Sequence, residues 1–330
     1  MSNEQNKGMS ILGRFFMAKE SGIIVVTLLF AITISIINPV FISISNLFNV
    51  FRATGFTLVT ALGMTCILIA GGLDLSVGSV LALGGCIGGI AMTSLGLNMW
   101  LSILIGCASG LIIGLINGIV IVKLRIPPII MTLGMMYIAR GIVNIVTLGV
   151  PIYPLPAEFQ SLEQVDLFGV PKVVLIAIVL AFLAHFFLKY TTIGRSIYAI
   201  GGNRETARLA GIDMPKITVI CYCICSTLAA LTGVIMASRL GSAQPSAGNG
   251  YEMTVIAAAI IGGTSTDGGS GTILGTVVGA LFMNILTNAM TVMKVSVYWQ
   301  NFAVGIILVL AVALDQYRRD RMTRIGLDKT

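Results

Sequence analysis

The sequence predicts an all-α polytopic membrane protein of about ten transmembrane helices, with both termini cytoplasmic. Three observations carry this. The 330 residues are 56% hydrophobic and only 10% charged, with a mean hydropathy of +0.99. A soluble domain carries about a quarter charged residues, so this chain cannot cover its surface with polar groups. Apolar runs long enough to cross a bilayer recur along the chain, and the basic residues gather on one side of the alternating loops. Nothing marks off a soluble domain: a single bundle over 22–314 sits between tails at 1–21 and 315–330.

The first span, 22–38, closes at Asn38-Pro39, and the second covers 54–71. The third is 77–95 and the fourth 99–122. The fifth, 127–148, opens with Pro127-Pro128, as proline suits a helix start. A polar loop with four prolines fills 149–171, and the sixth span is 172–188. A long polar segment, 189–216, leads to the seventh at 217–238. The eighth is short, 253–264; the ninth is 272–292 and the tenth 297–314. The first 20 residues are polar and mixed, without the short apolar core and cleavage site of a signal peptide.

With the N-terminus inside, Lys7, Arg14, Lys19, Lys123, Arg125, Lys189, Arg195, Arg204, Arg208, Lys216, Arg318, Arg319, Arg321, Arg324 and Lys329 are all cytoplasmic, fifteen of twenty basic residues. Arg52, Lys172, Arg239 and Lys294 remain outside, Arg140 falls within the fifth span, and the outer loop carries Glu158, Glu163 and Asp166. The net charge of +7 is therefore a topology signal and not a nucleic-acid footprint. The six cysteines lie in apolar runs without disulfide or zinc spacing. Gly106, Gly110, Gly114 and Gly118, each four apart, put small residues on one helix face and predict close backbone packing; Gly84/Gly88, Gly85/Gly89 and Gly271/Gly275/Gly279 do the same.

Two glycine-rich breaks hold acids. In IAGGLDLSVGS (69–79), Asp74 stands between Gly71, Gly72 and Gly78. An aspartate at the bilayer centre costs on the order of 3 kcal/mol, so a non-helical turn near the inner face is expected. Asp74 and Ser76 are expected to cap the third span; the other reading is a part in the transport path or gate. In IGGTSTDGGSG (261–271), Gly262, Gly263 and Asp267 precede the ninth span on the same side, either as half of an internal repeat or as a convergent helix-entry turn. No P-loop occurs in the chain.

The segment GRSIYAIGGNRETARLAGIDMPK (194–216) contains a short helix that Asn203 caps and Gly211 stops. Such a helix either lies along anionic lipid heads or docks into a groove on a cytoplasmic partner. The loop 239–252, with Gln244, Asn249, Tyr251 and Glu252, is placed on the outer side, at a pore mouth or receptor contact. Arg140 is expected to face the interior and pair with carbonyls or an acid, with a place in the solute path as the alternative. His185 near the end of the sixth span and Tyr298-Trp299 at the edge of the tenth read as interfacial residues.

The phrases GGLDLSVGSVLALGG (71–85), YAIGGNRETARLAGI (198–212) and GSAQPSAGNGYEMTVIAAAIIGGTS (241–265), in this order and spacing, resemble permeases of bacterial ABC importers, and among them the ribose and related monosaccharide permeases. The resemblance covers about 22–315. Glu205-Thr206-Ala207 followed by Gly211 has the spacing of the E-A-A-x-x-x-G pattern of coupling helices, with threonine in the middle place. The resemblance implies two permease copies forming a pore in a bacterial inner membrane. It also implies a cytoplasmic ATPase that binds ATP and magnesium and grips Asn203, Arg204, Glu205, Ala207, Arg208 and Gly211, and an extracytoplasmic sugar-binding protein. The chain itself would then hold no cofactor and catalyse nothing. The rival is a self-contained secondary transporter, which shows helix breaks near the midplane and paired acids. An intramembrane enzyme would need a nucleophile with a base or a metal-ligand set, which one histidine and scattered acids do not supply.

Overall fold

The computed structural model describes residues 21–327 apart from 165, 166 and 168, and side chains up to residue 317. The tail 1–20 with Lys7, Arg14 and Lys19, the loop residue Asp166, and the side chains of the terminal arginines lie outside the described residues. Every element among them is helical: α1 Ser21–Ile37, α2 Ile44–Ile69, α3 Val77–Thr93, α4 Met99–Leu124, α5 Pro128–Thr147, α6 Ala157–Gln164, α7 Lys172–Tyr190, α8 Thr192–Gly202, α9 Arg204–Leu209, α10 Met214–Leu240, α11 Tyr251–Ile261, α12 Ile273–Val292 and α13 Val297–Leu327. Seven of these are long and apolar enough to cross a membrane, and α1, α3 and α11 are shorter apolar helices.

Several boundaries move. The second span starts at Ile44 rather than 54, because Ser43 caps it and Asn46, Asn49 and Arg52 lower the hydropathy of its first turns without breaking the helix. Asn46 is satisfied inside the bundle, exchanging side-chain hydrogen bonds of 2.8 and 2.9 Å with Asn288 of α12. The polar loop 149–171 contains the short helix α6, and the segment 189–216 holds two helices in place of one.

The core is built by α2, α3, α4 and α10; the most apolar stretch of α2 is 83% buried, while that of α13 is 6% buried and faces outward. Glycines make this possible. A Cβ on Gly110 would strike the Ser226 carbonyl of α10, and one on Gly114 the Tyr222 carbonyl. On Gly106 it would meet the Gly84 carbonyl of α3. Without a hydrophobic force between helices in lipid, such close backbone packing is what holds them together.

One end of the bundle carries α8 and α9. At the opposite end Glu163 of α6 is fully buried and binds Arg52 at 3.0 Å and the Val173 N–H at 2.8 Å, tying α6 to α2 and α7. Burial pushes the Glu163 carboxyl above its ordinary range, against the pull of the Val173 N–H and of Arg52.

Two segments leave helical geometry inside the bundle. Residues 70–76 turn back inward from the α8–α9 end. There the Tyr222 hydroxyl donates to the Leu73 carbonyl at 3.0 Å, and Asn117 Nδ2 donates to Ser76 Oγ at 3.2 Å. Asn117 lies six residues before Lys123, about 9 Å along α4. Asp74 thus sits deeper than a turn at the inner face. It does not cap α3 either: Ser76 holds the N-cap position without a side-chain cap bond, and Asp74 accepts from Ser76 itself. From the other end, residues 241–250 descend until Gly248 and Gly78 meet backbone to backbone, leaving no room for a Cβ on either. The Tyr251 hydroxyl points to Thr57, midway along α2, at 3.5 Å, and Glu252 is only 9% exposed. Of the two places expected for Tyr251 and Glu252, a receptor contact on the outer surface does not fit them: both are drawn into the bundle by the short helix α11.

Arg140 of α5 closes this meeting point. Its guanidinium donates to the carbonyls of Pro245, of Ala247 at 2.9 Å and of Gly78 at 3.4 Å. The Pro245 and Ala247 carbonyls lie outside any helix and find no donor in lipid, so the arginine supplies one.

Two outcomes follow from this packing. Gly114→Val, which forces α4 off α10, abolishes the monodisperse peak in detergent gel filtration, whereas Gly305→Val on the outward-facing α13, where a Cβ meets nothing within 4 Å, leaves it intact. Arg140→Ala, which strands the carbonyls it serves, destabilises the fold by on the order of 3 kcal/mol in reversible denaturation, and Arg140→Lys recovers part of that.

Candidate functional site

The α8–α9 corner is built by local sequence. Thr191 caps α8, its hydroxyl accepting from the Gly194 N–H at 3.0 Å. Asn203 ends α8 and starts α9, its Oδ1 accepting from the Thr206 N–H at 2.9 Å. Gly211 stops α9 with φ +76°, a left-handed conformation that glycine adopts without strain, and its N–H donates to the Arg208 carbonyl. On α9 only Ala207 is buried; Arg204, Glu205, Thr206, Arg208 and Leu209 all stand exposed. Arg208 grips Glu205 through two hydrogen bonds of 2.6 and 3.1 Å and holds that carboxyl below its ordinary range.

Both glycine-rich breaks converge on this corner. The Gly269 N–H donates to the Ile69 carbonyl at 2.8 Å, so the α11–α12 turn is hydrogen-bonded to the end of α2. Gly201 of α8 lies on that same carbonyl and on Gly269, too close for any Cβ. Arg204 Nη2 reaches the Gly71 carbonyl at 3.5 Å, and the Tyr198 hydroxyl donates to the Gly271 carbonyl at 2.8 Å. Gly71, Asp267, Thr266 and residues 200–205 line one open cleft. Thr266 donates in turn to Asp315 of α13 at 3.2 and 3.3 Å. Gly262 and Gly263 play a different part: Gly262 packs on the Gly275 carbonyl of α12, and Gly263, at φ +89°, turns the chain after α11.

A second place lies at the other end. Arg140, Asn144, Gly149, Pro151, Gln244, Pro245, Ser246 and Asn249 line a polar cavity of about 310 Å³. It opens between α5 and the descending segment 241–250, and Asn144, Ser246 and Asn249 are exposed in it. Arg140, Gln244 and Asn249 are thus brought together, while Tyr251 and Glu252 lie below them. Asp74 and Ser76 belong to neither place and sit in the core against Asn117, Tyr222 and Ser226. Asn117, Asn144 and Ser226 were missed in the sequence, although a lone asparagine in an otherwise apolar span is a signal in itself.

Residues 46–312 match the family model described as branched-chain amino acid transport system / permease component. The chain is 36% identical to the ribose import permease protein of Escherichia coli (strain K12), over 97% of this chain and all of that one. It is 39% identical to the ribose import permease protein of Haemophilus influenzae, over 93% of this chain and 95% of that one. The corresponding figures for the Bacillus subtilis protein of that name are 40%, 86% and 89%. No solved structure matches. With its own helices carrying the match from α2 through α13, the chain belongs to this family of transport-system permease components, the membrane-spanning subunits of ABC importers.

Proposed function

We propose that the chain is the permease subunit of an ATP-driven monosaccharide importer in a bacterial inner membrane. The observation that carries the coupling half of this reading is the exposed helix α9, mounted on a corner that touches both glycine-rich breaks by backbone contact. An ATPase that moves α9 moves the end of α2 and the α11–α12 turn with it, since Gly201 leaves no compressible side chain between them. Asn203, Arg204, Glu205, Ala207, Arg208 and Gly211 are the docking element, and ATP and magnesium belong to the partner. The α8–α9 end is then cytoplasmic. An apolar helix at each of the ten expected places supports ten spans with both termini inside.

The polar cavity at the opposite end receives the solute from an external binding protein. Its lining of Arg140, Asn144, Gln244, Ser246 and Asn249 offers paired donors and acceptors, which suits a polyhydroxyl solute better than a branched apolar side chain. This favours the sugars named for the ribose, D-allose and L-arabinose relatives over the amino acids in the family description. A second copy completes the pathway: the α5 face with Tyr137, Ile138, Gly141, Asn144 and Ile145 is unpartnered within one chain and too polar at Asn144 for lipid. The outward residues of α1, α7 and α13 meet lipid. The depth of the 70–76 segment removes one objection to a secondary transporter, but the membership in a permease-component family that works with a separate ATPase weighs against it.

Two experiments test this. In proteoliposomes holding the chain with its cognate ATPase and binding protein, labelled ribose or a related pentose or hexose accumulates only with ATP; uptake by the chain alone on an ion gradient, or uptake of leucine in place of sugar, overturns the reading. Deleting 203–211, or replacing Gly211 with valine, which strains a left-handed backbone, lowers ATPase co-purification at least tenfold while membrane insertion persists.

A further inference from the structure

The core around Asp74 holds a negative group without a counter-charge. Asp74, Ser76, Asn117 and Ser226 are each fully buried. Asp74 Oδ1 accepts from the Ser76 N–H at 2.8 Å and from the Ser76 hydroxyl at 2.6 Å. Since Ser76 Oγ has given its one hydrogen to Asp74, Asn117 must turn its amide N–H toward Ser76, which leaves Asn117 Oδ1 facing elsewhere. Asp74 Oδ2, Asn117 Oδ1 and Ser226 Oγ end with no hydrogen-bond partner. Ser226 faces the Asp74 carboxyl from α10, near enough to interact with it but outside good hydrogen-bond geometry. Asp74 Oδ2 and Asn117 Oδ1 are thus acceptors without a donor, and the Ser226 hydroxyl brings only one hydrogen to the cluster.

Charge is short in the same sense. Among the described residues no lysine, arginine or histidine pairs with Asp74. Arg140, the interior cation, is engaged by the carbonyls of Pro245, Ala247 and Gly78 and faces Glu252. The titratable groups facing Asp74 are Tyr222 and Cys225 of α10, neither of which is cationic. The start of α3 favours an anion, but the cost of burying an unpaired carboxylate exceeds what a helix dipole returns. A resident metal is disfavoured by the donor set, which offers one carboxylate and no second acid, and no group of three or more His, Cys, Asp or Glu clusters among the described residues.

We propose that Asp74 is a proton-binding site: its carboxyl is neutral in the folded protein, with the proton on Oδ2 as the donor that Asn117 Oδ1 and Ser226 Oγ lack. The neutral carboxyl then joins the re-entrant segment to α4 and α10 and holds the start of α3 under Gly248. It acts as a positioning residue and does not touch solute. The group carries no charge through the membrane in this state, which removes the need for a partner acid or base.

Infrared spectroscopy of the full chain in liposomes, grown with isotope-labelled aspartate, tests this. At pH 7 the spectrum contains the carbonyl band of a protonated, labelled carboxyl, and Asp74→Asn removes it. Asp74→Glu removes the labelled band as well, which keeps the assignment open to test if the amide variant does not fold. A wild-type spectrum with carboxylate bands only, or a protonated band that survives both variants, overturns the proposal. Thermal unfolding supplies the second arm. Replacing potassium by sodium leaves the wild-type midpoint unchanged, while Asp74→Ala lowers it by roughly 5 °C or more. A sodium-dependent rise in the wild type that Asp74→Asn abolishes overturns the proton in favour of a bound cation.

Discussion

In a bilayer every backbone carbonyl released from a helix must find a donor within the protein, and here Arg140 meets that demand. The guanidinium holds Pro245, Ala247 and Gly78 at once, and these belong to two segments that enter the bundle from opposite ends. Without it, the Pro245 and Ala247 carbonyls of the descending loop lose the donor that serves them, and the loop loses its tie to the first turn of α3. A single charged side chain within a span is thus compatible with lipid because its charge is spread over three carbonyl dipoles and faces inward. The same residue lines the polar cavity, so the element that holds the breaks together also faces the place proposed to receive solute.

Contact at glycine gives the bundle its stiffness. Where Gly201 lies on Ile69 and Gly269, or Gly248 on Gly78, backbone touches backbone and no rotamer change can absorb a displacement. A helix such as α9, with only Ala207 buried, would be a loose appendage on a softer support. Mounted on these contacts, it is placed so that the coupling proposed above would reach α2, the lead into α3 and the turn before α12 together. The proposed reading requires rigid transmission of this kind, since the work would originate in a partner ATPase.

The two glycine-rich breaks look alike in sequence and differ in depth. The 261–271 break is a surface turn stitched to Ile69, with Thr272 capping α12. The 71–78 break returns into the core and buries Asp74 among Ser76, Asn117 and Ser226. Their acids differ accordingly: Asp267 borders an open cleft, whereas Asp74 is fully buried with no cationic side chain paired to it among the described residues. The similarity is that both precede an apolar helix and need backbone freedom there, which is a requirement of local geometry.

The sequence by itself determined the helical membrane class, the order of the apolar helices, the glycine faces of α3 and α4, and the Asn203-to-Gly211 helix, because each rests on local composition, spacing or capping. It also turned Arg140 toward the interior, to carbonyls or an acid, since hydrocarbon leaves an arginine few other partners; the structure supplies the carbonyls. Tertiary structure alone decided how deep 70–76 and 241–250 run, that Tyr251 and Glu252 turn inward, and that Asn117 and Ser226 surround Asp74. Those facts depend on contacts between residues from about 40 to more than 190 positions apart, such as Ser76 with Asn117 and Thr57 with Tyr251. Hydropathy averages over a window along the chain and carries no term for which distant backbone will be waiting when a helix stops.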